Sequence, residues 1–452
     1  MRVHFIAIGG AAMHNLAIAL HKKGYKLTGS DDEIFDPAAS NLAKYGLLPE
    51  SFGWFPEKIT EEIDAIILGM HARKDNPELL RALEKKIKIF SYPEFLYEQT
   101  KNKKRIVIGG SHGKTTITSM IMFVLKEAGL SFDYMVGSAI SGFDTMVNIE
   151  EKNNLAVFEG DEYLSSPLDL TPKFHKYKPH VAVISGIAWD HINVFPNFEK
   201  YVEQFTTFID SIIPDGKLIV YKNDENLQNI KYSNKNIQVI EYEAYPYSLN
   251  EVGDFVVEFR GQKYVMSVFG DHNMQNVNAA RLVCLELGIE EEFFWNTITK
   301  FKGAAKRLQQ IKENANSAFY LDFAHAPSKV KATITAMKQK YPDKKLVACL
   351  ELHTFSSLKK EFIPHYNNCM LDADIACVYY NPEVIAHKKL EEINPEFIRK
   401  SFGNDVFVFS ETDKLQDYLL KINSKDSVFL MMSSGNFSGM DFVKFANKII
   451  KD

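Results

Sequence analysis

Between residues 106 and 125 a short apolar strand, Ile106-Val107-Ile108, runs into Gly109-Gly110-Ser111-His112-Gly113-Lys114-Thr115-Thr116 and then into an apolar helix, Ile117–Leu125. A glycine-rich turn that leaves a strand and opens a helix aims several backbone N–H groups and the helix dipole at one point, which suits a polyphosphate. Lys114 can reach terminal phosphates, and the Thr115 hydroxyl can ligate Mg²⁺. The spacing is G-x-x-G-K-T-T; the strict Walker form needs glycine where Ile108 stands. A merely solvated lysine on an ordinary turn is the weaker explanation, because GKTT sits between strand and helix. The phosphate-binding set is therefore Gly110, Ser111, His112, Gly113, Lys114, Thr115 and Thr116.

Short β-branched runs alternate with helical patterns along the whole chain, the signature of parallel α/β sheets. At 452 residues, a prior of roughly 150 residues per domain suggests about three domains. Strands are expected at Val3–Ile8, Tyr25–Thr28, Ala65–Leu68 and Ile87–Phe90, before the polar, basic stretch Thr100–Arg105. A second block carries strands at Leu155–Phe158, Val181–Ser185 and Leu218–Tyr221. It ends in an antiparallel pair, Phe255–Phe259 and Tyr264–Phe269, turned at Arg260-Gly261-Gln262, and a helix from Asn273 to about Leu287. A third block, after Lys302-Gly303, has strands at Ala318–Leu321, Leu346–Leu350, Ile375–Tyr379 and Val428–Met432. The expectation is three consecutive α/β domains at 1–103, 104–301 and 302–452.

Mg²⁺ beside phosphates is usually held by one or two carboxylates plus water. Glu159-Gly160-Asp161-Glu162 follows the strand Leu155–Phe158, and Asp190-His191 follows Val181–Ser185, both at the edge where parallel sheets gather ligands. Acidic residues at a strand end are often only caps; two pairs beside one phosphate turn point further. Near the N-terminus Ile8-Gly9-Gly10-Ala11-Ala12-Met13 is a poor dinucleotide fingerprint, with alanine at its first and third glycine positions. An ordinary tight turn explains it as well as a functional one, although Asp31 is placed to bond a ribose hydroxyl.

Together these motifs resemble the Mur ligase superfamily, which joins a carboxylate to an amine with hydrolysis of ATP. The family's G-[TS]-x-G-K-[TS]-[TS] is similar to Gly110–Thr116, its E-[AG]-D-E to Glu159–Glu162, its D-H to Asp190-His191 and its H-N-x-x-N to His272–Asn276. Its R-[FL] and D-[YF]-[AG]-H-x-P resemble Arg307-Leu308 and Asp322–Pro327. The resemblance implies a Rossmann-like UDP-binding domain, a central P-loop ATPase domain and a C-terminal Rossmann-like domain. It implies that Lys114, His191 and Arg307 are catalytic, with Thr115, Glu159 and His191 as Mg²⁺ ligands. Asn273 and Asn276 would read adenine, Arg307 would clamp phosphate, Asp322 would contact the ribose, and closure of domains would assemble the site. An acyl phosphate formed on the substrate carboxylate would then be attacked by the amine.

The resemblance also speaks to the substrates. Where several members carry a carbamylated lysine, this chain has Phe205, as in the branch acting directly on UDP-N-acetylmuramate. Gly9, Gly10, Ser30, Asp31 and His71 would bind that donor, and Asn76-Pro77-Glu78 resembles the loop closing over its uridine nucleotide. The acceptor in this branch is either L-alanine or the tripeptide L-alanyl-γ-D-glutamyl-meso-diaminopimelate, recovered in peptidoglycan recycling. Glu351-Leu352-His353-Thr354-Phe355-Ser356-Ser357 matches neither the alanine enzyme's Q-P-H-R-[FY]-[ST]-R nor the enterobacterial recycling enzyme's E-P-R-S-N in full; it lacks the alanine enzyme's arginines, and Met432–Gly439 looks more like the recycling enzyme's M-S-N-G-G-F-G-G. The tripeptide is therefore the expected acceptor, with His353 in its site.

Rival classes fare worse. An NAD-dependent oxidoreductase would leave Gly110–Thr116 unexplained, and a non-enzymatic nucleotide switch would need neither Arg307 nor Asp322–Pro327. The net charge of −5 gives no overall pull toward nucleic acid or anionic lipid. No apolar run approaches the roughly 20 residues of a membrane helix. Four cysteines without a C-x-x-C pair argue against a disulfide scaffold or a cysteine zinc site. A cytoplasmic monomer or weak homodimer is expected, with neither nucleic acid nor membrane as partner.

Overall fold

The computed structural model describes residues 1–189, 194–303, 307–403 and 406–451. They form two compact units: Met1–Ile187 with Asn197–Glu243 and Ala279–Glu290, and Ala188–Pro196 with Ala244–Asn278 and Glu291–Asp452.

The first unit holds two sheets. Strands β1 (Arg2–Ile6), β2 (Lys26–Ser30), β3 (Ala65–Leu68) and β4 (Lys88–Ser91) form a parallel sheet in the order β2-β1-β3-β4. The first strand stops at Ile6 rather than Ile8, because Ala7 turns to a left-handed φ of 67°. The second starts one residue later than expected and reaches Ser30, whose carbonyl accepts the Ala7 and Ile8 N–H groups at 3.0 and 3.2 Å. Those bonds carry the chain into the Gly9-Gly10 turn and the helix Ala11–Lys22.

The second sheet comprises β5 (Lys104–Gly109), β6 (Asp133–Met135), β7 (Val147–Asn148), β8 (Leu155–Glu159), β9 (Val181–Ile184), β10 (Gly216–Tyr221) and β11 (Ile237–Tyr242). Its order is β11-β10-β9-β5-β8-β6-β7, parallel except for β7. Strand β5 is central and lies between β8 and β9. Its core residues Ile106, Val107 and Ile108 are fully buried, as expected of a parallel strand covered on both faces. That strand order brings the segments after β5, β8 and β9 to one edge of the sheet.

The second unit also holds two sheets. Strands β12 (Ser248–Leu249), β13 (Phe255–Phe259) and β14 (Gln262–Val265) are antiparallel. Arg260 and Gly261 make the hairpin with φ of 51° and 79°, the backbone that a two-residue turn between twisted strands requires. The other sheet contains β15 (Gln309–Glu313), β16 (Ala318–Asp322), β17 (Lys345–Leu352), β18 (Ile375–Tyr380), β19 (Val406–Phe409) and β20 (Ser427–Met432). Its order is β15-β16-β20-β17-β18-β19, parallel except for β15. Strand β20 separates β16 from β17, so the segments leaving these three strands share an edge. The helices Thr412–Leu420 and Phe442–Ile449 cover one face, packing Leu415, Leu419, Phe445 and Ile449 on Phe319, Val347, Phe429 and Met431.

The basic stretch Thr100–Arg105 is built into the first unit. Arg105 is buried and donates to the carbonyls of Thr100, Lys101, Lys103, Tyr177 and Lys178 at 2.7–3.1 Å. Lys103 is buried against Asp133 at 2.5 Å. Arg105→Ala would take a donor from five carbonyls at once. It is expected to cost at least about 3 kcal/mol in urea denaturation, with Arg105→Lys recovering only part; a loss below about 1 kcal/mol contradicts the brace.

Candidate active site

The helix Lys114–Glu127 begins on the glycine turn, with Gly113 as its N-cap at φ 69°. Gly113 supplies no side-chain cap, which leaves the first-turn amides to an anion. Gly110 has φ 123°, and a side chain there would collide with the Ser185 hydroxyl. The end of β9 pins the turn: the Ser111 N–H donates to the Gly186 carbonyl at 2.9 Å, and the Ser185 hydroxyl donates to the His112 carbonyl.

Lys114 lies in a polar cluster. Its ammonium donates to the Gly110 carbonyl at 2.6 Å and sits 2.8 Å from Oε2 of Glu162, a fully buried carboxylate. The Tyr201 hydroxyl donates to Glu162 Oε1 at 3.1 Å and lies 2.9 Å from Ser111 Oγ. Burial works against the Lys114 charge, but the charge and hydrogen bond of Glu162 outweigh it and shift the pKa upward. Lys114 is thus held as a cation at the mouth of the turn.

The acidic run divides its work. Glu159 accepts the Thr115 hydroxyl at 3.0 Å and the Gly137 N–H at 2.8 Å. Asp161 pairs with Lys173 at 2.5 Å, and Glu162 pairs with Lys114. Asp190 and His191 lie outside the described residues. Phe205 is buried, edge-on to Phe174 and Tyr201 at 5.5 and 5.3 Å, so this position belongs to an aromatic core.

At the N-terminal turn the Gly9 N–H donates to Asp31 Oδ2 at 2.7 Å. A Cβ on Gly9 would lie 2.9 Å from that oxygen, and one on Gly10 would lie 3.8 Å from the His71 ring. Gly9, Gly10 and the exposed His71 therefore share one surface, with the buried Asp31 carboxylate directly behind Gly9 and the Ser30 side chain also buried. Burial raises the Asp31 carboxyl to about 6 against the opposing Gly9 bond. Asn76 and Glu78 serve the fold here. Asn76 caps the helix Pro77–Glu84, and buried Glu78 accepts the Phe55 N–H at 2.7 Å and lies 3.2 Å from His4 Nε2.

In the second unit, Asn273 and Asn276 are buried on the helix Asp271–Glu286, with Asn276 Nδ2 donating to Asn273 Oδ1 at 3.3 Å. Asn273 Nδ2 donates to the Phe269 carbonyl at 2.9 Å. Asp322 accepts the Leu308 N–H at Oδ2, and the Ala324 N–H and Thr333 hydroxyl at Oδ1. Asp322 thus braces the segment bearing Arg307, whose guanidinium lies 4.4 Å from the Phe323 ring centre.

The ends of β17 and β20 meet. Buried Glu351 accepts the Phe437 N–H at 2.9 Å and the Ser433 hydroxyl at the same oxygen, Oε2, while Oε1 lies 3.6 Å from His353 Nδ1. A Cβ on Gly435 would lie 2.8 Å from the His353 ring. Burial pushes the Glu351 carboxyl upward, but His353, Ser433 and the Phe437 amide outweigh it and its pKa is lowered. Ser185, Tyr201 and Glu162 had no assigned role in the sequence; of the three only Glu162 carried a signal, its place in the acidic run. Among the described residues no group of three or more His, Cys, Asp or Glu is arranged to hold a metal.

Three family models match consecutive parts of the chain: the Mur ligase family catalytic domain over residues 2–104, the Mur ligase middle domain over 108–284, and the Mur ligase glutamate ligase domain over 306–435. The UDP-N-acetylmuramate–L-alanine ligase of Aquifex aeolicus is 32% identical over 78% of each chain, and that of Desulfitobacterium hafniense 26% over 96% of this chain and 97% of its own. A murein peptide ligase structure from Psychrobacter arcticus superposes with TM-score 0.66 at 21% identity, covering 99% of this chain and 98% of its own. A UDP-N-acetylmuramate–alanine ligase structure from Thermotoga maritima gives 0.71 at 20%, with the same coverage. These matches define an ATP-dependent ligase that forms a C–N bond, built on a three-domain α/β architecture. The chain belongs to the Mur ligase family.

Two predictions follow from the charges. Lys114→Ala leaves Glu162 buried without its cation and is expected to cost about 3 kcal/mol or more in urea denaturation as well as turnover. Adding Glu162→Gln should restore most of the stability and none of the turnover; no recovery of stability would mean the pair is not the source of the loss. Asp31, raised in the folded state, contributes stability below its unfolded pKa that is lost as pH rises from about 4 through about 6. The melting temperature of Asp31→Asn relative to wild type should therefore climb across that window and level off above it; a flat difference contradicts the shift.

Proposed function

We propose that the ligase joins the lactyl carboxylate of UDP-N-acetylmuramate to the amine of L-alanyl-γ-D-glutamyl-meso-diaminopimelate, forming ADP and phosphate. The observation that carries this reading lies just after β17: Thr354 and Ser357, hydrogen-bonded to each other at 3.0 Å, stand where the alanine enzyme's pattern has arginines, and a buried carboxylate, Glu351, lies beside His353 and Gly435. Free alanine carries its own carboxylate one carbon from the amine, and a planar guanidinium is the group that clamps such a carboxylate. In the tripeptide that carbonyl is already an amide. It needs hydrogen-bond partners rather than a cation, and Glu351 would repel a free carboxylate there. L-alanine stands as the second reading, favoured by the names of the two sequence relatives described above.

Gly9, Gly10, Asp31 and His71 are assigned to the uridine-linked donor. The turn Gly110–Thr116, with Asn273, Asn276 and Arg307, is assigned to ATP. The Thr115 hydroxyl and Glu159 carboxylate, 3.0 Å apart, are hard oxygen donors of the kind Mg²⁺ takes, and they fit as its ligands; His191, outside the described residues, is assigned to the metal from the sequence. When bound, Mg²⁺ neutralises charge on the phosphates. Lys114 contributes a fixed ammonium toward charge growing on the transferred phosphoryl group. The lactyl carboxylate attacks the γ-phosphorus and ADP leaves; the acceptor amine then attacks the acyl carbon, phosphate leaves and an amide remains. Excluding water protects the acyl phosphate from hydrolysis.

The test is phosphate release from ATP and UDP-N-acetylmuramate with each acceptor in turn. Turnover with tripeptide at a kcat/KM at least about tenfold above that with L-alanine, some 1.4 kcal/mol of transition-state preference, is the expected result. Turnover with alanine alone overturns the acceptor assignment.

A further inference from the structure

A cavity of about 460 Å³ opens in the second unit, along the segment Leu358–Phe362 that follows β17 and His353. Its wall also includes Trp189, His365 and Lys389–Glu391. The volume falls within the roughly 300–1,000 Å³ typical of small-molecule sites. The lining is mixed. Trp189 and His365 stand edge to face at 6.3 Å and Phe362 packs 5.1 Å from His365, giving an apolar floor. Three lysines, Lys359, Lys360 and Lys389, outnumber two carboxylates, Glu361 and Glu391, in the lining. Lys360 is held by Glu391 at 2.5 Å. Lys359 lies 5.0 Å from the Phe355 ring centre, and among the described residues neither it nor Lys389 has a carboxylate partner.

We infer that this cavity receives the carboxylate-bearing distal part of the acceptor peptide, with Lys359 and Lys389 as the cations that select it. The inference rests on the tripeptide reading and extends it. Trp189 immediately precedes Asp190-His191, and His353 lies five residues before Leu358, so the cavity adjoins in sequence the two segments assigned to the reacting end. The tripeptide carries its negative charge away from its amine, on the γ-linked glutamate and the diaminopimelate. Its methylene chains match the floor of Trp189, Leu358 and Phe362. A single alanine would neither fill such a volume nor reach its lysines.

The test uses the full chain and compares wild type with Lys359→Ala/Lys389→Ala, the first half-buried and the second exposed, after confirming equal melting temperatures. Acceptors are the native tripeptide and an analogue whose carboxylates are amidated. Wild type should show a KM about tenfold higher for the amidated peptide. The double variant should show that raised KM for the native peptide, no further change on amidation, and kcat within about twofold. A variant that still separates the two peptides as wild type does overturns the cavity assignment while leaving the tripeptide reading intact. Wild type turning over L-alanine but not tripeptide overturns both.

Discussion

Glu162 is a carboxylate with no exposed side-chain surface, and Lys114 is the cation 2.8 Å away that makes its burial tolerable. Neither charge is affordable alone in such a place. Together, with Tyr201 and the Gly110 carbonyl, they hold the ammonium at the opening of a helix whose first amides lack a side-chain cap. The strand order makes this arrangement possible. Because β5 lies between β8 and β9, the glycine turn, the acidic run and the Ser185-Gly186 bend reach the same edge. Gly110 is required there, since a side chain would meet Ser185.

The glycine turn and the central strands were legible because each signal was local. A run such as Ile106–Ile108 is apolar on both faces, and glycine at 113 supplies a positive φ that other residues resist. Elements that depend on partners distant in sequence were not legible. Strand β11 and edge strand β15 expose much of their length, so they lack an apolar run, and β15 reverses the direction of its sheet. Strand β14 ends at Val265 rather than Phe269. Arg105 reads as one more charge in a basic stretch until its carbonyl partners at Tyr177 and Lys178 are seen. At the site, the residue types were legible and the pairing was not: the spacing of Glu159 and Glu162 does not say which one faces Thr115 and which faces Lys114.

On the acceptor side, the two segments that look least like the alanine enzyme, Glu351–Ser357 and Met432–Gly439, touch each other through Glu351, Ser433 and Phe437. Their departures from that pattern therefore belong to one local environment. Under the proposed tripeptide assignment, Glu351 stands near the reacting amine and Lys359 and Lys389 further along the peptide, a charge order that matches a peptide with distal acid groups.

The central chemical claim is that the substrate carboxylate, rather than water, takes the γ-phosphate of ATP. UDP-N-acetylmuramate labelled with ¹⁸O in its lactyl carboxylate tests this directly when the released phosphate is examined by mass spectrometry. The account predicts that label passes from the carboxylate into phosphate in step with amide formation. Amide formed with entirely unlabelled phosphate would contradict it.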